Sequence, residues 1–220
     1  MSKEDELRPM ELPNVLVGPP KVGATAEQLF TVRGGERRPW DPRHSKLAAY
    51  LLKGVERLPF TEGSNVLYLG AANGTTASHV ADICTDGMVY CVEVSQRSFR
   101  DLIKACEAVN NMVPILGNAR TPGSYAPLVG PIDIVYQDIS QRDQTQIFLK
   151  NLNAFVRRKG DGGPRANGIL MVKARSIDVA KHPKEIYSVV LKELEAECRV
   201  LDARQLDPFE RDHMAIMVSY

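Results

Sequence analysis

The sequence predicts a doubly wound, Rossmann-like α/β domain, its mostly parallel sheet ending in an antiparallel C-terminal hairpin, with a small β-rich appendage in front. Three observations predict it. From about residue 45 onward short apolar runs alternate with segments at helical spacing, and the runs are apolar on both faces, as strands covered by helices on both sides must be. The first run, NVLYLG, ends at a glycine turn that opens a helix. The last two runs, CRVLDARQL and HMAIMVSY, are joined by a connection around Pro208 too short for a crossover helix, which implies an antiparallel pair.

In chain order, residues 1–40 carry ELPNVLVGPP and QLFTVRGGE among Pro and Gly turn signals, which suits short strands of an appendage. Residues 41–220 then form the main domain. Leu47, Ala48, Leu51, Leu52 and Val55 recur at helical spacing over 45–58. A strand over 65–70 leads through the glycine turn to a helix over 75–84. MVYCVEV (88–94) is a second buried strand, followed by a helix through Phe99, Leu102, Ile103 and 105–109. MVPILG (112–117), IDIVYQD (132–138) and GILMVKA (168–174) supply further strands, with 144–157 the clearest helix between them and 183–198 the helix before the hairpin. There is no internal repeat and no low-complexity block.

With 220 residues, 44% of them hydrophobic and 25% charged, the chain can bury one sizeable core. No apolar run approaches the roughly 20 residues that span a bilayer, and the start MSKEDELRPM lacks the apolar stretch of a secretory signal. A soluble cytoplasmic protein is expected. Cys84, Cys91, Cys106 and Cys198 form neither a CxxC pair nor a metal-like Cys/His spacing, so reduced, mostly buried thiols and no metal are expected. The net charge of +1 is unevenly spread: residues 33–57 carry +4 and residues 150–175 carry +6. Such runs are ordinarily solvated faces, but two beside one cleft suit a surface that tracks phosphates. With 6% aromatic residues, sequence readout of nucleic acid by the chain alone is not expected.

In open α/β sheets a ligand lies beyond the carboxyl ends of the strands, where the first glycine turn lets backbone approach it closely. YLGAANGTT has the spacing G-x-x-x-G, Gly70 and Gly74, rather than the G-x-G-x-x-G that cradles a pyrophosphate. Glu93, with Val94 after it, ends the second strand 19 positions beyond Gly74, where a carboxylate accepts the hydroxyls of a ribose. Asn118 and Ala119 follow the third strand, and the Asn amide suits an adenine edge. Asp138, Ile139, Ser140 and Gln141 close the fourth strand, where a cationic centre favours carboxylates and acceptors. Thr75 and Thr76 open the first helix after the turn, whose N–H groups and hydroxyls can hold a polar tail. The bland alternative is a tight turn beside an exposed strand-end acid. A nicotinamide-dependent oxidoreductase shares the glycine and acid framework, but the pyrophosphate fingerprint is missing.

The fragments YLGAANGTTASHVADI, VEVSQRS, VYQDISQ, VKARSID and PFERDHMAIMV, in this order, resemble fibrillarin, the 2′-O-methyltransferase of box C/D RNA-guided particles. The resemblance runs from about residue 40 to residue 220 and is closest to the short archaeal form, as no Gly/Arg-rich stretch precedes it. It implies the class I S-adenosylmethionine-dependent methyltransferase fold, S-adenosylmethionine as cofactor, and a catalytic set of Lys46, Asp138, Lys173 and His213. Strand ends agree for three of these; Lys46 rests on the resemblance. Lys173 is expected nearest the ribose 2′-oxygen, either sharing the hydroxyl proton or stabilising the developing alkoxide, with Asp138 orienting it and Lys46 and His213 completing the set. Two positions depart from the family pattern: Asn118 stands where Asp is usual, keeping a carbonyl for adenine but losing the charge, and Asn73 stands where Ser is usual. As partners the resemblance implies a box C/D guide RNA, substrate rRNA and tRNA, a coiled-coil Nop-family scaffold and a kink-turn-binding ribosomal-like protein, and no membrane. The rival readings are a non-catalytic subunit of such a particle with a vestigial cofactor pocket, a small-molecule methyltransferase and an NAD-type Rossmann oxidoreductase.

Overall fold

A computed structural model describes residues 7–21, 23–156 and 167–220. The chain begins with an antiparallel sheet of β1 (Arg8–Pro9), β2 (Val15–Gly18), β3 (Gln28–Arg33) and β4 (Glu36–Trp40), in that spatial order. Gly34 and Gly35, at φ of 55° and 84°, join β3 to β4. Two left-handed residues in a two-residue loop match the twist of the strands they connect, which is why this hairpin needs glycines.

The main domain follows as α1 (Lys46–Leu52), β5 (Val66–Leu69), α2 (Thr75–Ile83), β6 (Val89–Glu93), α3 (Gln96–Glu107), β7 (Met112–Leu116), β8 (Ile134–Gln137), α4 (Gln144–Phe155), β9 (Asn167–Lys173), α5 (Ala174–Ile177), α6 (Pro183–Glu195), β10 (Arg199–Gln205) and β11 (His213–Ser219). The sheet runs β10-β11-β9-β8-β5-β6-β7; β11 is antiparallel to both its neighbours and the remaining pairs are parallel. Alternation along β5 divides the core, Val66 and Tyr68 facing one layer and Leu67 and Leu69 the other. From β5 the chain runs outward through β6 and β7, then returns to build β8 and β9 on the opposite side. The strand order therefore reverses between β5 and β8, and the crevice opens beyond their carboxyl ends. Among the described residues no helix is long and apolar enough to cross a membrane, and none of the four cysteines is in a disulfide.

One expected element is shorter than its pattern. The helix expected over 45–58 stops at Leu52, because Gly54 takes φ of 79° and its N–H turns back to the Leu51 carbonyl. Val55, which extended the periodicity, is buried from the loop beyond.

The N-terminal sheet shares one core with the main domain: Leu12, Val15, Val17, Leu29 and Trp40 pack in the cluster that holds Tyr68 and Val80. A buried charge fastens the two. Asp82 of α2 pairs with the guanidinium groups of Arg33 and Arg38 and accepts a 2.6 Å hydrogen bond from the Thr31 hydroxyl. The His79 ring nitrogen Nδ1 lies 2.7 Å from the same hydroxyl, and the ring stacks on Trp40 at 5.0 Å between centroids. In the 33–57 run, then, Arg33 and Arg38 are neither simply solvated nor left for phosphate, since both serve an internal acid.

Burial, reinforced by Arg38 and Arg33, pushes the pKa of His79 down to about 3. The folded state thus binds fewer protons than the unfolded state below pH 6.5, so stability is full above that pH and falls as the solution is acidified toward pH 3. In urea unfolding, wild type is expected to lose roughly 2 kcal/mol more than His79→Gln between about pH 6.5 and pH 5, where most carboxylates remain ionised. Parallel curves for the two proteins would contradict a neutral His79.

Candidate active site

Register brings the two strand ends of the crevice together. Leu69 lies opposite both Val92 and Gln137, the Asp138 N–H donates to the Leu69 carbonyl at 2.9 Å, and the Gly70 N–H donates to the Val92 carbonyl at 2.9 Å. Gly70 has φ of 81°, and a Cβ there would stand 2.3 Å from the Asp138 carbonyl oxygen, so only glycine permits this approach. The turn after it aims backbone at Glu93. The Ala72 N–H donates to Glu93 Oε2 at 2.8 Å and the Ser95 N–H to Oε1 at 2.7 Å. Each carboxylate oxygen keeps a further lone pair, so Glu93 is a fixed pair of acceptors at the end of β6.

Beyond these strand ends lies a cavity of about 240 Å³ whose lining includes Gly70, Glu93, Val94, Asn118, Ala119, Asp138, Ile139, Ser140 and Gln141. Gly70, Ala72 and Asp138 also wall a second cavity, of about 530 Å³, lined further by Lys46, Tyr68, Thr75 and Thr76. Every residue expected to hold a cofactor therefore lines one of two adjoining lobes, with Gly70 and Asp138 at their junction. Sequence reasoning missed Arg120, whose guanidinium ties Asp143 to the Gln141 side-chain oxygen at the rim of the first lobe. The Asn118 side-chain oxygen Oδ1 accepts the Arg120 backbone N–H at 3.0 Å. One of its lone pairs is thus already committed, leaving the NH₂ and a second lone pair for a base.

Of the four residues expected to act on the substrate, two are in direct contact: Lys46 Nζ donates to Asp138 Oδ2 at 2.9 Å, with both side chains about four-fifths buried. Lys46 is the first residue of α1, and Ser45 caps that helix by accepting the Ala48 N–H. His213 opens β11 directly opposite Lys173, the last residue of β9. Its Nδ1 lies 2.7 Å from the Arg211 carbonyl, an acceptor, so Nδ1 carries the proton; buried Nε2 has no partner among the described residues. Burial first, then the charge of Lys46, holds the His213 pKa below its ordinary value, so the ring is neutral at pH 7 and Nε2 is a free acceptor. Lys173 and His213 lie outside the lining of the two lobes, on the next two strands beyond β8.

Gln144, also missed from sequence, ties the end of β9 to the end of β8. Fully buried at the start of α4, it accepts the Lys173 N–H at 3.1 Å and donates to the Gln141 carbonyl at 2.9 Å. A glutamine in the first turn of a helix reads as an ordinary surface residue, so no local signal marks it. In the 150–175 run, Lys150 donates to the Arg120 carbonyl and Arg175 pairs with Asp212, so neither is an idle phosphate contact. Arg157, Arg158, Lys159, Asp161 and Arg165 lie outside the described residues. Among the described residues no group of three or more His, Cys, Asp or Glu side chains is arranged to hold a metal ion.

The model of the family described as fibrillarin matches residues 18–220. A protein of Methanothermobacter thermautotrophicus named fibrillarin-like rRNA/tRNA 2′-O-methyltransferase is 45% identical over 200 residues, covering 90% of this chain and 87% of its own. Among solved structures, Aeropyrum pernix fibrillarin in complex with natively bound S-adenosyl-L-methionine superposes with a TM-score of 0.82 at 36% identity, covering 96% of this chain and 97% of that one. The structure of a fibrillarin/Nop5p complex superposes with a TM-score of 0.80 at 38% identity, covering 97% and 96%. A glycine turn against Asp138, an acid clamped by two backbone amides and a lysine paired to that aspartate occur here on a chain matched almost end to end, and the chain belongs to the fibrillarin family.

Proposed function

We propose that this chain transfers the methyl group of S-adenosylmethionine to ribose 2′-hydroxyls of rRNA and tRNA, directed by a box C/D guide RNA and held on a Nop-family scaffold with a kink-turn-binding protein. The observation that carries the reading is the Lys46–Asp138 ion pair at the junction of the two lobes, one of which ends at the clamped Glu93. The fit to the cofactor is chemical. Glu93 supplies two fixed acceptors for a ribose diol, Asn118 a polar edge for adenine, and the first turn of α2, which Thr75 and Thr76 open, the positive end of a helix for a carboxylate tail. The close approach at Gly70 leaves the room a side chain would fill.

Bound there, S-adenosylmethionine supplies an electrophilic methyl group that the 2′-oxygen takes up, with release of S-adenosylhomocysteine and of the hydroxyl proton. Asp138 holds Lys46 and adds negative charge where a sulfonium is favoured. Among the described residues the Lys173 ammonium has no hydrogen-bond or ion-pair partner, which leaves its protons for the ribose oxygen as charge develops there. Neutral His213, its Nε2 unpaired, accepts a donor from the lysine or the hydroxyl.

Arg33, Arg38 and Lys150, from runs that could track phosphate, are occupied internally, and the low aromatic content supports leaving sequence choice to a guide. The expected result is S-adenosylmethionine binding by the protein alone in calorimetry, negligible RNA methylation by it, and guide-matched methylation once scaffold, kink-turn binder and guide are added. Full guide-matched activity from the protein alone would overturn the division of labour. Absence of cofactor binding would favour a non-catalytic subunit.

A further inference from the structure

Ser45 stands where three elements meet the reactive pair. Its hydroxyl oxygen accepts from the Trp40 indole N–H at 2.9 Å, from the Thr76 hydroxyl at 3.1 Å and from the Ala48 backbone N–H at 3.4 Å, and the residue is 3% exposed. Trp40 ends β4 and is itself held, 2% exposed, by its stack on His79, which the Thr31 and Asp82 cluster fixes. Thr76 belongs to the first turn of α2 and lines the same lobe as Lys46. The next residue after Ser45 is Lys46, whose amine meets Asp138 at 2.9 Å.

A cap needs only the bond to the helix backbone, which here is the longest of the three. The two shorter bonds tie the start of α1 to β4 on one side and to the turn around the cofactor lobe on the other. We propose that Ser45 is a positioning residue for methyl transfer: its hydroxyl sets where Lys46 stands relative to Asp138 and to the α2 turn, so that the N-terminal sheet takes part in aligning the reactive set. The inference rests on the assignment of Lys46 to that set, and it adds Ser45, with Trp40 and Thr76 as its holders, to the residues on which the rate depends.

The test uses the full chain in the reconstituted guide-directed particle, with single-turnover transfer read at saturating S-adenosylmethionine and cofactor affinity read by calorimetry. A displacement of a reacting group by about 1 Å lowers rates roughly a hundredfold, so Ser45→Ala is expected to slow transfer by roughly ten- to a hundredfold while cofactor affinity stays within about twofold. Ser45→Gly keeps most of the capping stability without the hydroxyl and is expected to slow transfer as much as Ser45→Ala, whereas Ser45→Thr restores the hydroxyl and most of the rate. In a Lys46→Ala background Ser45→Ala is expected to have no further effect, because the two act through one group.

Wild-type rate in Ser45→Ala, a much smaller loss in Ser45→Gly, or losses that multiply in the double variant would each overturn the positioning role. If Lys46→Ala itself transfers at the wild-type rate, the assignment of Lys46 falls and takes the proposal with it. If Lys46→Ala is slow and Ser45→Ala is not, the positioning role alone fails.

Discussion

Lys173→Ala is expected to reduce guide-directed methyl transfer by at least roughly a thousandfold while S-adenosylmethionine binds within about twofold of wild type. The separation follows from the layout. The two lobes proposed for the cofactor are lined by Gly70, Glu93, Asn118 and the residues after β8, whereas Lys173 stands one strand further on, its backbone N–H held by Gln144. Removing the amine leaves the lining of both lobes in place and takes away a side chain that nothing else engages among the described residues. Single-turnover methylation of a guide-matched RNA, with calorimetry of cofactor binding, reads both halves. Transfer within tenfold of wild type would show that the 2′-oxygen is served by another group, and a parallel loss of cofactor affinity would place Lys173 in the cofactor site.

The largest expected effect on stability is at Asp82. Asp82→Ala leaves Arg33 and Arg38, each about one-third exposed and still bonded to Ser78, without their counter-charge, and removes the acceptor that fixes Thr31. Breaking a buried ion pair from one side costs about 3–5 kcal/mol, and the one-third exposure of each guanidinium places the expected loss at the lower end of that range. Urea unfolding should register a loss of that size. Since Trp40 and His79 sit on the same cluster, residual folded Asp82→Ala is also expected to transfer methyl slowly. A loss below about 1 kcal/mol would mean that the arginines reach water easily and that apolar contacts alone hold the N-terminal sheet.

That the residues around the two lobes gather at one edge was legible in the sequence because their signals are local. A strand that ends in glycine, a strand that ends in an acid and a helix that starts with two threonines each follow from a few adjacent residues, and the parallel sheet puts all such ends along one edge. The Lys46–Asp138 pair spans 92 positions, and no periodicity predicts it; only the family resemblance pointed to Lys46. Charge runs misled for the same reason. Counting arginines over 33–57 cannot reveal that Arg38 turns onto an acid 44 positions away. Gln144, Ser45 and Arg120 belong to residue types common on surfaces, and their importance appears only where folding buries them or gathers their partners. The overextended first helix has a simpler origin: a buried loop residue, Val55, fell at a helical interval past the glycine that ends α1.

β11 is buried along its whole length and bonded to a strand on each side, while α1 spans only seven residues. Amide protons around His213 and Lys173 therefore belong to the portion of the molecule that exchanges with solvent last, and α1, though short, buries residues 47–51 in the same core. The imidazole and one amine are thus carried on the interior of the sheet, and the other amine on a buried helix fastened through Ser45.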